Sequence, residues 1–309
     1  MSKPLVVVGS INLDLVVTAD HIPQPGETVI GSRFQTFYGG KGANQAVAAA
    51  RLGYPTYMLG NVGDDAFGQQ LLEGLAEAGV ETSGVKTVPG SSGIALITIG
   101  AGGENNIVVV PGANGLLTPR QLEESAFVLR QAGFLLAQLE IPLETVEYLA
   151  DFAQRNNIPL MLDPAPAQEL PRSLLQKVEW ITPNESEAQL LLHSAIDATD
   201  ETSVSDAADC LLACGAKNVL LKLGSHGCML AHQHGHKHRI PAFPIDAVDS
   251  TAAGDAFNAA FAVGLLQGKS SQESARFACA VAAISVSRPG AQPSMPTLEE
   301  LTEFLAQRD

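Results

Sequence analysis

Basic residues are scarce in this sequence: 18 Lys and Arg stand against 33 Asp and Glu among 309 residues, a net charge of −15. A field of that sign repels polyanions, which argues against nucleic acid or an anionic membrane surface as main partner. If the ligand is a small anion, positive charge must be supplied locally. Long apolar runs are missing as well. The longest small and apolar stretch, 277–286, falls well below the roughly 18 residues that a membrane span requires. The apolar run at 5–8 is too short for the core of an export signal, so the expectation is a cytoplasmic protein with no membrane segment. Cysteines are few: Cys210, Cys214, Cys228 and Cys279 show no C-x-x-C spacing and lie among apolar residues, which suits reduced, buried thiols.

Hydrophobic residues make up 46% of the chain and charged residues 17%, which excludes a disordered, collagenous or coiled-coil protein. Strand-type runs at 5–9, 57–62, 134–138, 159–162, 178–181 and 219–223 alternate with helix-type runs at 43–52, 67–78, 143–156, 185–192 and 204–214, and with the helix after Gly254. That alternation predicts an α/β fold with a doubly wound, mostly parallel sheet and helices on both faces. Two stretches, 12–38 and 93–110, lack helical patterning. Their β-branched, period-2 segments at 13–17, 28–30, 94–99 and 107–110 predict antiparallel ribbons forming a small β lid. The body is then 1–11, 39–92 and 111–309. Apolar residues fall on both faces of the second ribbon, so one face is expected to close on a ligand and the other to meet a second subunit, giving a homodimer.

The strongest local signal is VDSTAAGDAF at 248–257, a run of tiny residues opening a helix. Unobstructed N–H groups at a helix start bind anions, and Asp255 in the first turn is placed to accept a proton from a hydroxyl. The plain alternative is a helix-start acid beside a tightly packed turn. In YGGKGANQA (38–46) glycines allow close approach to a ligand and Asn44 offers both a donor and an acceptor. This is not a P-loop, because Gly42 stands where Ser or Thr would follow the lysine. No G-x-G-x-x-G follows the first strand, which lowers the case for a dinucleotide enzyme. Asn12 and Asp14, two apart in an extended segment, leave the same face and suit a pair of hydroxyls, or merely a solvated edge. Asn184 and Glu187 have capping-box spacing, yet an amide and a carboxylate at a strand end also suit the waters of Mg²⁺. Leu223-Gly224-Ser225-His226-Gly227 lets a nucleotide lie against the backbone or simply turns a hairpin. His232, His234, His236 and His238 alternate around Gly235, a pattern read as a hairpin tip without a physiological metal. The pair Asp64-Asp65 after Gly63 reads as a helix cap, and 163–166 as a rigid loop.

Taken together, GSINLD (9–14), YGGKGANQAVAAARLG (38–53), NVGDDAFG (61–68), DPAPA (163–167), TPNESEA (182–188), LGSHG (223–227), VDSTAAGDAFNAAF (248–261) and RPGAQPS (288–294) resemble the ribokinase-like family of carbohydrate kinases over essentially the whole chain. The resemblance implies transfer of the ATP γ-phosphoryl group to a sugar hydroxyl, the 5-hydroxyl of D-ribose in the nearest reading. It implies Asp255 as base, Ala252, Ala253 and Gly254 as the anion hole, and Asn12, Asp14, Gly40, Lys41, Asn44 and Glu140 around the sugar. ATP is expected at Asn184, Lys222, Leu223, Gly224, Ser225, His226, Gly227, Gly254 and Cys279. Mg²⁺ is expected near Asn184 and Glu187 through water, and K⁺ near Asp249, Thr251, Ser285, Arg288, Gly290 and Ser294.

Three positions depart from the family's usual pattern. Ala252 replaces a glycine, Lys222 stands where threonine is frequent, and Cys279 lies near the expected adenine where histidine occurs. A kinase for deoxyribose, another sugar or a nucleoside remains an alternative, as does a non-catalytic sugar sensor. A nicotinamide oxidoreductase is a more distant one.

Overall fold

Leu5, Val6, Val7 and Val8 are all fully buried, as befits a strand covered by helices on both faces. They form β1 (Leu5–Val8) of a computed structural model that describes residues 3–235 and 237–308. The strands that follow are β2 (Asn12–Thr18), β3 (Arg33–Gly39), β4 (Thr56–Gly63), β5 (Glu81–Val88), β6 (Gly93–Ile99), β7 (Asn105–Val110), β8 (Phe134–Ala137), β9 (Leu160–Leu162), β10 (Trp180–Ile181), β11 (Asn218–Lys222), β12 (Cys228–His232) and β13 (Lys237–Ile240). A nine-stranded sheet runs β13-β12-β11-β10-β9-β8-β1-β4-β5. It is parallel from β11 to β5, and β12 and β13 continue it as an antiparallel hairpin. Apolar clusters cover both faces. On one, the helix Ala253–Leu266 packs against Lys41–Arg51 and Ser271–Val286. The apolar stretch at 277–286 is thus core, and among the described residues no helix is long and apolar enough to cross a membrane.

The helices Leu143–Asn156 and Glu185–Leu192 coincide with the runs read from sequence. Their ends are locally encoded. Asn157 closes the first in the left-handed conformation, and reciprocal Asn184 and Glu187 bonds open the second. Asp65 caps its helix as expected, accepting from Gly68 N–H at 2.8 Å.

The second sheet has the order β3-β2-β6-β7. Each ribbon is antiparallel, and β2 joins β6 in parallel register, Asp14 opposite Ala95 and Leu15 opposite Leu96. One expected segment is corrected: residues 28–30 form no strand. Pro23 and Pro25 lack the N–H that a ladder needs, and a turn held by Gln24 and Glu27 occupies the chain before pairing resumes at Arg33. The β12–β13 hairpin carries the histidine pattern. His232 Nδ1 bonds Asn218 at 2.8 Å and its Nε2 bonds Ser271 at 3.2 Å, while His236 lies outside the described residues.

Candidate active site

Gly40 and Gly42 decide how the chain enters the crevice above β1. Gly40 has φ +86°, and a Cβ on it would meet the Asn12 backbone nitrogen at 2.7 Å. A Cβ on Gly42 would stand 2.7 Å from the Gly9 carbonyl carbon and the Ser10 nitrogen. Without side chains there, the helix Lys41–Arg51 starts directly against the chain leaving β1. Glu140, just beyond the neighbouring β8, fastens the junction: Ser10 Oγ donates to its Oε2 at 2.5 Å and Lys41 N–H donates to the same oxygen at 3.1 Å.

The first turns of two helices, 211 residues apart in sequence, converge on one carboxylate. Asn44 Nδ2 donates to Asp255 Oδ2 at 3.0 Å, and Gln45 Nε2 donates to Asp255 Oδ1 at 3.1 Å. Neither amide is free to turn. Gln138 Nε2 donates to Gln45 Oε1 at 2.6 Å, and Gln292 Nε2 donates to Asn44 Oδ1 at 3.3 Å. Gln45 Nε2 also reaches Asp163 Oδ2 at 3.1 Å, whose Oδ1 accepts from Lys222 Nζ at 3.0 Å. Asp14 leaves β2 on the same side as Asn12, whose Oδ1 accepts from Asn114 Nδ2 at 2.7 Å.

Crowded acids perturb one another in this crevice. Burial, then the nearby Glu140 and Asp255 carboxylates, push Asp14 up to about 7. Burial raises Asp255 to about 6, with the Lys41 ammonium opposing, Asp163 adding to the rise, and the Asn44 and Gln45 bonds holding it down. The dipole argument alone predicts an ordinary carboxylate at a helix start; desolvation outweighs the dipole here, and Asp255 becomes a stronger base that is still mostly ionised at neutral pH. Burial by itself would lower Lys41, but Asp255, Asp163, Glu140 and Glu187 together hold its ammonium above the usual lysine range.

The helix Ala253–Leu266 starts without a side-chain cap, from Ala252 at φ +57°. That left-handed turn is strained for alanine, whereas glycine would adopt it freely. Ala253 N–H reaches Ser250 O at 3.2 Å, and among the described residues the N–H groups of Gly254 and Asp255 have no acceptor. Beside them opens a largely apolar cavity of 510 Å³, lined by Lys222, Gly224, Ser225, Gly227, Phe243, Pro244, Ile245, Gly254, Phe257, Cys279 and Ala283, among others. Leu223 is buried and, with His226 and Asp197, lines the neighbouring depression rather than this cavity.

Asn184 and Glu187 do form the capping box: Glu187 N–H donates to Asn184 Oδ1 at 2.8 Å and Asn184 N–H to Glu187 Oε2 at 2.7 Å. Burial raises Glu187, with Lys222 opposing. Asp249 ties two loops together, accepting from Thr251 N–H at 2.9 Å and from Gly290 N–H at 2.8 Å. Ser285 and Ser294 share a hydroxyl bond of 2.8 Å, while the Arg288 side chain turns to Glu300 at 2.7 Å, leaving its backbone to that loop.

Gln45, Asp163, Asn114 and Gln292 were not singled out as site residues by the sequence. A strand-end position was the available signal for Asp163, which follows β9 directly. The Ala-rich helix around Gln45 gave none.

The model of pfkB family carbohydrate kinases matches residues 2–298. A ribokinase of Haemophilus influenzae is 42% identical over 99% of this chain and 99% of its own length. A deoxyribokinase of Salmonella typhimurium is 36% identical over 98% of each. The structure of Arabidopsis thaliana ribokinase complexed with ribose and ATP superposes with a TM-score of 0.93 at 37% identity, covering 99% of both chains.

Proposed function

The chain belongs to the pfkB family of carbohydrate kinases, and from that premise we propose that it transfers the γ-phosphoryl group of ATP to the 5-hydroxyl of D-ribose. One observation carries the reading: Asp255, buried at the start of the Ala253–Leu266 helix, is bonded by Asn44 and Gln45 from the glycine-lined turn. The anion-binding amides and a proton acceptor thereby face one crevice. The pentose fits among Asn12, Asp14, Gly40, Lys41, Asn44 and Glu140, and the adenine in the apolar cavity against Cys279.

In the reaction the ribose O5–P bond forms as the bond from the γ-phosphorus to the β,γ-bridging oxygen breaks. The hydroxyl proton passes to Asp255, and the electron pair of the broken bond leaves on ADP. Most of the acceleration comes from alignment and charge stabilisation. The unbonded amide of Gly254 holds the phosphoryl oxygens together with that of Ala252, and Ala253 N–H joins them on leaving Ser250 O, while the Lys41 ammonium offsets the surrounding carboxylates.

Glu187, a buried carboxylate close to Asp163, Lys222 and Lys41, and Asn184 beside it suit a hydrated Mg²⁺ bound through its waters. For K⁺ the reading takes Asp249, Thr251, Ser285, Arg288, Gly290 and Ser294; the Gly290 bond to Asp249 and the bond between Ser285 and Ser294 support it by tying these segments together. When bound, these ions supply positive charge to the triphosphate and stiffen the loop beside the anion hole.

Residues 12–38 and 93–110 act as a lid over the pentose in this reading. Leu96 and its cross-strand partner Val108 are 45% and 55% exposed, which supports a homodimer formed lid to lid. Leu96→Glu is expected to convert a dimer to a monomer in sedimentation velocity; a monomeric wild-type protein at micromolar concentration contradicts the contact. The buried free thiols of Cys228 and Cys279 support a cytoplasmic setting, while Cys210 is exposed and Cys214 only partly covered, contrary to the burial expected from their apolar neighbours.

ADP release measured over D-ribose, 2-deoxy-D-ribose and other pentoses, with and without potassium, tests the function. Ribose should give the highest kcat/KM; a preference for 2-deoxyribose moves the assignment to the other related activity. The pH dependence follows from the acids. Their ionised forms are the active ones, so kcat/KM for ribose should fall as pH drops through about 7 and then about 6. A flat profile between about pH 5 and 8 contradicts the raised pKa values of Asp14 and Asp255 or their part in the reaction.

A further inference from the structure

We propose that Lys222 is a catalytic residue that contacts the phosphoryl group in transit, an assignment that rests on the kinase reading above. Lys222 ends β11, and its side chain is only 12% exposed. It lines the same cavity as Gly254, and its Nζ lies 3.6 Å from where a Cβ on Gly254 would stand. The ammonium therefore sits over the uncapped first turn of the Ala253–Leu266 helix.

An ammonium has three N–H donors, and among the described residues one of them is engaged, by Asp163 at 3.0 Å. The others remain for a ligand. A cation beside the positive end of a helix dipole is repelled by it; Asp163, bonded to the ammonium, and the nearby Glu187 carboxylate offset that repulsion from the side away from the helix start. An anion held by the Gly254 amide brings both positive groups into favourable contact. Asp163 also fixes where the lysine stands relative to the base: its second oxygen accepts from Gln45, which donates in turn to Asp255. The chain Lys222, Asp163, Gln45, Asp255 thus couples the phosphoryl end of the crevice to the proton acceptor.

Lys222 forms no covalent bond and keeps its proton. It donates hydrogen bonds to oxygens of the transferring group, whose charge is redistributed between the breaking and the forming P–O bonds. The competing role is purely structural, with Lys222 serving only as counter-charge to Asp163.

Lys222→Met and Lys222→Arg separate the two roles. Lys222→Met should lower kcat about 100-fold, the scale for losing one donor to developing charge. Its affinity for D-ribose, measured by calorimetry without nucleotide, should change by less than about twofold, and ADP with aluminium fluoride should lose most of its affinity advantage over ADP alone. Lys222→Arg keeps the charge and should recover at least about tenfold of the rate. Unchanged kcat overturns the proposal. So does a rate loss that leaves the aluminium fluoride advantage intact, or one matched by an equal loss of ribose affinity. Should Lys222→Met fail to fold, the Lys222→Met, Asp163→Asn pair compared with Asp163→Asn alone removes the unpaired carboxylate and gives the same comparison. A wild-type protein that releases no ADP defeats the kinase reading itself, whereas an active wild type with an equally active Lys222→Met defeats only the role of Lys222.

Discussion

Asp255→Asn is expected to lower kcat by about 10³-fold while the protein stays folded, the range for removing a positioned general base. The substitution keeps shape and removes only the proton acceptor. Its structural cost has two terms of opposite sign. The carboxylate is buried and already disfavoured as an anion, which is why it titrates near 6, so losing its charge is favourable. Against that, Asn44 and Gln45 both point donors at it, and their orientations are fixed by Gln292 and Gln138. The new amide nitrogen faces one of those donors at a cost of about 1–3 kcal/mol. Net stability should therefore shift by less than about 2 kcal/mol, visible as a small change in Tm. A kcat near the wild-type value, measured by ADP release at saturating ribose and ATP, contradicts the assignment of the base.

Asp14→Ala should act on the sugar rather than on the chemistry. Charged hydrogen bonds are worth about 1.5–3 kcal/mol each, so losing one or two to ribose hydroxyls should cut kcat/KM by about 10²–10³-fold. Direct ribose affinity should fall by a similar factor, and kcat at saturating ribose should fall far less. The raised pKa sharpens the test. Near pH 7 about half of the free protein carries a neutral Asp14, and a ligand that donates to the carboxylate favours its ionised form. Ribose binding should then release a proton, detectable by calorimetry in buffers of different ionisation enthalpy, and Asp14→Ala should abolish most of that release. Unaltered affinity places the pentose elsewhere.

Local signals were legible in the sequence, and pairings across long separations were not. The amphipathic period and the caps set the helices Leu143–Asn156 and Glu185–Leu192 to the residue. Residues 28–30 misled because Thr28, Val29 and Ile30 favour strands, whereas the prolines at 23 and 25 govern how that stretch enters the ribbon. The strand β5 carries Glu81, Ser83, Gly84 and Lys86, and so lacks the apolar pattern that marks the other parallel strands. The parallel junction of β2 with β6 depends on pairing across some eighty residues and leaves no local trace. At the site, glycine-rich and small-residue segments announced themselves because backbone approach needs them. Gln45 and Asp163 did not. An amide in an Ala-rich helix and an acid before prolines become meaningful only when folding sets them 3.1 Å apart, 118 residues distant in sequence.

Phosphorus NMR of the mixture formed from ATP, Mg²⁺, K⁺ and D-ribose tests the central claim most directly. The account predicts one new phosphate ester on the ribose C5 oxygen, formed mole for mole with ADP and absent when the sugar is omitted or when Asp255 is asparagine. ADP that accumulates at the same rate without sugar, or an ester that still forms at the wild-type rate with Asp255→Asn, would contradict it.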